Sequence, residues 1–236
     1  MTIPRRALAQ AIPCVAAATI AMSCSHSPTP PAPVHSAPDA PRHSTFTLDP
    51  KRTALLVMDM QRAVIGMAGQ PAQTTLMNTA AAERASRRAG VSVIFVETAF
   101  APGYPEVSPR NKTFAGIPGT GKMIEGSPES RLDDQIAPVG DEPVIVKHEV
   151  GALSAPALRA LLRARNIDTV VLTGIATSGV VTSTALAAAD LDYRVIVLAD
   201  CVTDSDPEVN RVLLDKVLPI EADVVDSTQY ARALSQ

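Results

Sequence analysis

Tryptophan is absent, and aromatic residues make up only 3% of the 236-residue chain. So sparse an aromatic set leaves no platform on which bases could stack. Positive charge is not in excess. The formal net charge is -3, the wrong sign for a phosphate-rich partner, and nucleic-acid binding is not expected. The three cysteines, Cys14, Cys24 and Cys201, are too scattered for a disulfide framework or a zinc site. Three of the four histidines, His26, His35 and His43, fall near the N-terminus, which leaves His148 alone in the body of the chain. That argues against a His-based metal centre and against a Ser-His-Asp triad. No metal and no cofactor is expected. What the chain does have is an apolar fraction of 46%, enough to fill the core of one α/β domain with sequence to spare.

The spare sequence lies at the start. "MTIPRRALAQAIPCVAAATIAMSC" carries Arg5 and Arg6, then an apolar stretch, then small residues. That is the plan of an export signal over residues 1–24. The apolar stretch is too short and too alanine-rich for a membrane span. "AMSC" loosely resembles a lipoprotein cleavage box, which makes Cys24 the position of a lipid anchor, and the paired arginines loosely match twin-arginine export. The prolines and small polar residues of 25–46 cannot pack a core and read as a tether. The folded domain is expected over 47–236, in an exported protein that is periplasmic, secreted or lipid-anchored. A mis-set start codon on a cytoplasmic enzyme is the alternative.

From Thr53 onward strands alternate with helices. "TALLVMDM", "VSVIFVETA", "EPVIVK", "DTVVLTG", "YRVIVLAD" and "EADVVD" read as six strands, the first a continuous apolar run suited to burial on both faces. "TLMNTAAAERASRRAG" reads as a helix stopped by Gly90. "SAPALRALLRARN" reads as another, with Ser154 as its cap and Leu158, Leu161 and Leu162 on one face. Asp206–Pro207 opens "PEVNRVLLDKVL" with a cap and a first-turn proline. This rhythm implies a three-layer α/β/α sandwich around a mainly parallel six-stranded sheet, without internal repeats. Ligands in such sheets bind beyond the carboxyl ends of the strands.

Residues 100–141 interrupt the rhythm with glycine, proline and charge. A loop this long more often covers or binds than merely connects. Within it, "GIPGTGKM" is a near miss to a phosphate loop. No apolar strand precedes Gly116, and Met123 stands where a Ser or Thr would hold magnesium, so that reading fails.

Three strand ends offer chemistry. Asp59 follows "TALLVM", where partial desolvation would raise its proton affinity and suit a general acid or base; a turn or cap aspartate is the plain alternative. Gln61, two residues on, either orients a ligand or satisfies a turn. Lys147 ends "EPVIVK" and would hold a carboxylate ionised or bind a substrate anion, unless it is simply solvated. His148, on the opposite side of the strand, reads as structural. The third end is "TGIATSGVVTSTAL", where Gly174 permits a sharp exit, Ser178 or Gly179 begins a helix, and free amides would receive an anion. An ordinary strand-to-helix turn is the alternative.

"LLVMDMQ", "VIVKHEVGALS" and "TGIATSGVVTSTALAAADLDYRVIVLADC" in this order resemble the isochorismatase-like hydrolase superfamily, the cysteine hydrolases. The resemblance covers about residues 47–230, essentially all of the folded part. It implies small-molecule hydrolysis at the strand ends by an aspartate, a lysine and a cysteine, and a tendency to form homo-oligomers. The aspartate position falls on Asp59 and the lysine position on Lys147. The cysteine position falls on Val180, which has no nucleophile. A thiol at a helix start would be activated there; Cys201 follows the next strand, matches no nucleophile position and reads as a small buried hydrophobe. The resemblance also implies a non-proline cis peptide at Ile175–Ala176 and an oxyanion hole from the amides of Ala176 and Val180; Gln61, Thr177 and Ser178 are expected as substrate contacts. "KHEVGALS" has Leu153 where the family commonly has an aromatic, which bears on the pocket wall.

Three functions follow. The first is hydrolysis of a small molecule by Asp59 acid–base chemistry and water, as the isochorismatases proper manage without the cysteine. The second replaces the cysteine with Ser178 or Thr177 as nucleophile. The third is a non-catalytic small-molecule-binding protein. For oligomer contacts the long loop and the last segment, "STQYARALSQ", are the surfaces on offer.

Overall fold

The computed structural model describes residues 46–235. The export signal expected over 1–24, the lipid-anchor position Cys24 and the tether up to residue 45 lie outside the described residues. Over the ring of Phe46, the first described residue, the Arg194 guanidinium lies 5.0 Å from the centroid.

The chain then runs β1 (Thr53–Met58), α1 (Arg62–Ala68), α2 (Pro71–Ala89), β2 (Ser92–Thr98) and β3 (Val144–Lys147). It continues through α3 (Pro156–Ala164), β4 (Thr169–Ile175), α4 (Thr182–Ala189) and β5 (Arg194–Thr203). It closes with α5 (Pro207–Val212), β6 (Asp223–Val225) and α6 (Ser227–Ala233). All six strands are parallel, in the order β3-β2-β1-β4-β5-β6. Direction of winding reverses at β1 and β4, the neighbouring central pair, and a crevice opens beyond their carboxyl ends.

Alternation along the strands divides the core in two. Leu56 and Met58 of β1 pack with Leu158 and Leu162 of α3 and with Val181 and Ala185 on one side of the sheet. Leu55 and Val57 pack with Ile65 of α1, Leu76 of α2 and Tyr230 of α6 on the other. Successive strand side chains face opposite layers, so the central strands β1 and β4 are buried on both sides. This is the α/β/α sandwich that the strand–helix rhythm implies.

Local signals set most boundaries. Gly90 ends α2 at φ 79°, and its amide reaches the carbonyls of Arg87 and Ser86. Asp206 caps α5 by accepting from the amides of Glu208 and Val209, ahead of Pro207. Gly174 has φ 150°, and a Cβ there would stand 2.5 Å from the Met58 carbonyl oxygen. Only glycine lets β4 approach β1 so closely beside the site.

Three local expectations are corrected. Ser154 does not cap α3: the helix begins at Pro156 behind Ala155, and the Ser154 hydroxyl donates to the Gly151 carbonyl at 2.6 Å and to Glu149 at 3.1 Å. Neither Ser178 nor Gly179 starts an α-helix. Residues Thr177–Val181 form a wider π-helical turn interrupted at Gly179, with α4 starting at Thr182. Leu153 is buried in the core, not on a pocket wall. The last segment packs by one face and leaves Thr228, Gln229 and Arg232 exposed on the other. Tyr230 of α6 is fully buried, and its hydroxyl lies 2.7 Å from that of Ser86 on α2. No helix among the described residues is long and apolar enough to cross a membrane.

Candidate active site

The register of the sheet brings three polar strand ends together. Thr98 and Lys147 are cross-strand partners at the ends of β2 and β3, so their side chains share a face. Asp59 leaves the end of β1 at φ 53°, a left-handed conformation that aspartate tolerates better than most residues. Its amide donates to the Val96 carbonyl at 2.8 Å, which turns the carboxyl toward β2 and β3.

Asp59, Thr98 and Lys147 form one buried network. Lys147 Nζ donates to Asp59 Oδ2 at 2.8 Å, to Thr98 Oγ1, and to the Glu149 carbonyl at 3.1 Å. Thr98 Oγ1 in turn donates to Asp59 Oδ1 at 3.0 Å. Lys147 is 1% exposed, so the solvated-lysine alternative is excluded. All three ammonium protons are spent inside the protein, and none is left to bind a substrate anion. Burial pushes the Asp59 carboxyl above its ordinary range, while Lys147 and Thr98 pull it down without cancelling the shift. Thr98 was not among the sequence candidates. The signal was there, since it ends the strand beside β1, but a threonine at a strand end draws no notice until its neighbours are known.

A cavity of about 210 Å³ opens onto Asp59 and Thr98. Ile175, Ala176, Gly179 and Val180 form its floor, and the Ile175–Ala176 peptide is cis. Val180 is 2% exposed and contributes only an apolar isopropyl group to the lining. The far wall comes from the long connection between β2 and β3: Phe100, Phe114, Ile117 and Met123 all face the cavity. That segment is built of successive turns, pinned by bridges between Gln61 and Leu132 and between Phe100 and Ile124. Its role as a cover follows from these contacts.

The other expected contacts lie elsewhere. Gln61 is fully buried, with Nε2 donating to the carbonyls of Thr98 at 2.9 Å and Ser130 at 2.6 Å, and Oε1 accepting from the Thr98 amide. It satisfies backbone and ties the covering segment to β2; it does not line the cavity. The Thr177 hydroxyl donates to Asn210 at 2.6 Å, and the Ser178 amide donates to Asp204 at 2.7 Å. Neither residue lines the cavity. His148 bonds the Ala99 carbonyl at 2.8 Å and packs beside Phe100. Cys201 is buried in the opposite layer, where burial and the neighbouring Asp200 carboxylate push its thiol up. Among the described residues no three His, Cys, Asp or Glu side chains converge as metal ligands.

The fold has counterparts among known proteins. A cysteine hydrolase from Pseudomonas syringae pv. phaseolicola 1448A matches with a TM-score of 0.74 over 80% of this chain and 95% of its own; at 20% identity the likeness is one of fold. An isochorismatase family protein from Burkholderia thailandensis matches at 28% identity and a TM-score of 0.69, over 82% of this chain and 100% of its own. An N-carbamoylsarcosine amidase from Thermoplasma acidophilum matches at 29% identity and a TM-score of 0.62, over 75% of this chain and 96% of its own. The isochorismatase domain matches residues 53–229, from the start of β1 into α6. The chain therefore belongs to the isochorismatase-like hydrolase family.

Proposed function

We propose that this hydrolase cleaves a small molecule by acid–base chemistry on water, with no covalent intermediate. One observation carries the reading. The Asp59 carboxyl, held by Lys147 and Thr98, borders the same cavity as Val180, which has no atom to attack with. A carboxyl pushed up by burial keeps its proton further into the working pH range and can pass it on. In the step proposed, Asp59 gives its proton to the leaving heteroatom as the bond to carbon breaks. Water adds to that carbon and returns a proton to Asp59, so the enzyme ends as it began.

The Ala176 and Val180 amides serve as donors to developing negative charge; a backbone hole does not depend on the side chain at 180. A Ser178 or Thr177 nucleophile is disfavoured, because both residues lie off the cavity lining and the Thr177 hydroxyl is engaged with Asn210. The test is a turnover screen across amides, ureides and vinyl ethers. Asp59→Asn is expected to lower kcat/KM by about 100-fold or more. Wild-type activity is expected to fall as pH rises and the Asp59 carboxyl loses its proton. Equal activity in wild type and variant would remove Asp59 from the chemistry.

A further inference from the structure

The cavity is as informative for what it lacks as for what it holds. Among the described residues Asp59 is the only ionisable side chain along its lining. Its carboxyl is tied to Lys147, whose three protons are all engaged and leave none for a ligand. No arginine, lysine or histidine faces the space among the described residues. Lys112 and Lys122 are sequence neighbours of the lining residues Thr113 and Met123, but both are exposed and neither lines the cavity. Glu97 stands close enough to Glu125 and Asp59 for both to add to the effect of burial and hold its carboxyl above the ordinary range. The walls are apolar: Val64 and Met67 from α1, and the Phe100–Phe114 pair, whose rings meet edge to face at 5.4 Å.

An anion entering here gives up its hydration and finds no counter-ion, while an apolar body gains from leaving water. Resting on the hydrolytic reading above, we infer that the substrate is a small uncharged molecule with an aromatic or branched aliphatic body, and that carboxylate-bearing molecules are rejected. The body sits against Phe100, Phe114 and Met123, with the scissile group toward Asp59.

The probes are benzamide and benzoate, equal in size and differing in charge. Their binding to the full chain is measured by calorimetry at neutral pH. Benzamide is expected to bind roughly tenfold tighter or more. Phe114→Ala is expected to weaken benzamide at least about threefold, which locates it in the cavity. Thr113→Arg changes an exposed lining residue and supplies the missing cation, so it is expected to narrow or reverse the ratio. Benzoate binding as tightly as benzamide, no detectable binding of either, or a ratio indifferent to Thr113→Arg would each overturn the inference. These outcomes are independent of turnover. A cavity that prefers benzamide in a protein without Asp59-dependent hydrolysis would retain the selectivity and discard the hydrolytic reading.

Discussion

Lys147 acts through Asp59, and its burial makes the pair a unit. Removing the ammonium leaves a buried carboxyl supported by Thr98 alone. Lys147→Met is expected to cost about 3–5 kcal/mol in urea unfolding at pH 7, with part of the loss recovered by adding Asp59→Asn. It is also expected to move the pH profile of residual activity upward, since Lys147 lowers the Asp59 carboxyl. A purely structural lysine would leave that profile where it was. Val180 poses the converse question. Val180→Cys is a small change in volume, expected to cost less than about 1.5 kcal/mol. Its thiol would stand at the cavity beside Asp59, and the variant is expected to gain amidase turnover and one adduct with iodoacetamide relative to wild type. No new adduct by intact mass would mean that the side chain at 180 does not meet the cavity.

Among the elements, α2 carries a cost unrelated to catalysis. Its Glu83 is buried, with Oε2 3.2 Å from Arg87 and Oε1 without a hydrogen-bond partner; Thr79, one turn earlier, has an unpartnered hydroxyl as well. Burial pushes the Glu83 carboxyl up to about 7, against which Arg87 acts only in part. Between the ordinary value of 4.5 and about 7 the unfolded chain releases this proton while the folded chain keeps it. The folded state then binds more protons, so this contribution to stability falls as pH rises through that window. Glu83→Gln removes the titration. The variant is expected to gain on wild type by about 3 kcal/mol between pH 4 and pH 8, read as the difference between their urea midpoints converted by a common slope. A pH-independent difference would show that Glu83 titrates normally.

For the molecule as a whole, stability is graded across the sheet. Every residue of β1 and β4 is buried, whereas the outer strands β3 and β6 are largely exposed or half-buried. Amide exchange is expected to be slowest in β1 and β4 and fastest among the strands in β3 and β6. Mass spectrometry of deuterated peptides reads this directly, and uniform protection across the sheet would contradict it. The gradient matters for the site because Lys147 ends an edge strand while Asp59 follows a central one. The buried ion pair ties the two together at the working end of the sheet.

Much of this was legible in one dimension. Continuous apolar runs mark strands buried on both faces, and Gly90 and the Asp206–Pro207 pair mark helix ends through backbone chemistry a few residues long. Asp59 and Lys147 stand out because each lies at or just beyond a strand end, where this class of fold keeps its ligands, whereas Val180 is marked only by the family resemblance. Other features depend on which strands become neighbours and where the long connection returns. Thr98 joins the network only because β2 lies between β1 and β3. Gln61 reads equally well as a ligand contact until Thr98 and Ser130 take both ends of its amide. Lys147 reads as an anion binder until its three protons are counted against Asp59, Thr98 and Glu149. Periodicity and capping are local, and the sequence by itself determined them. Which polar groups spend their hydrogen bonds on one another, and so what charge the cavity presents, is a long-range matter that only the tertiary structure decided.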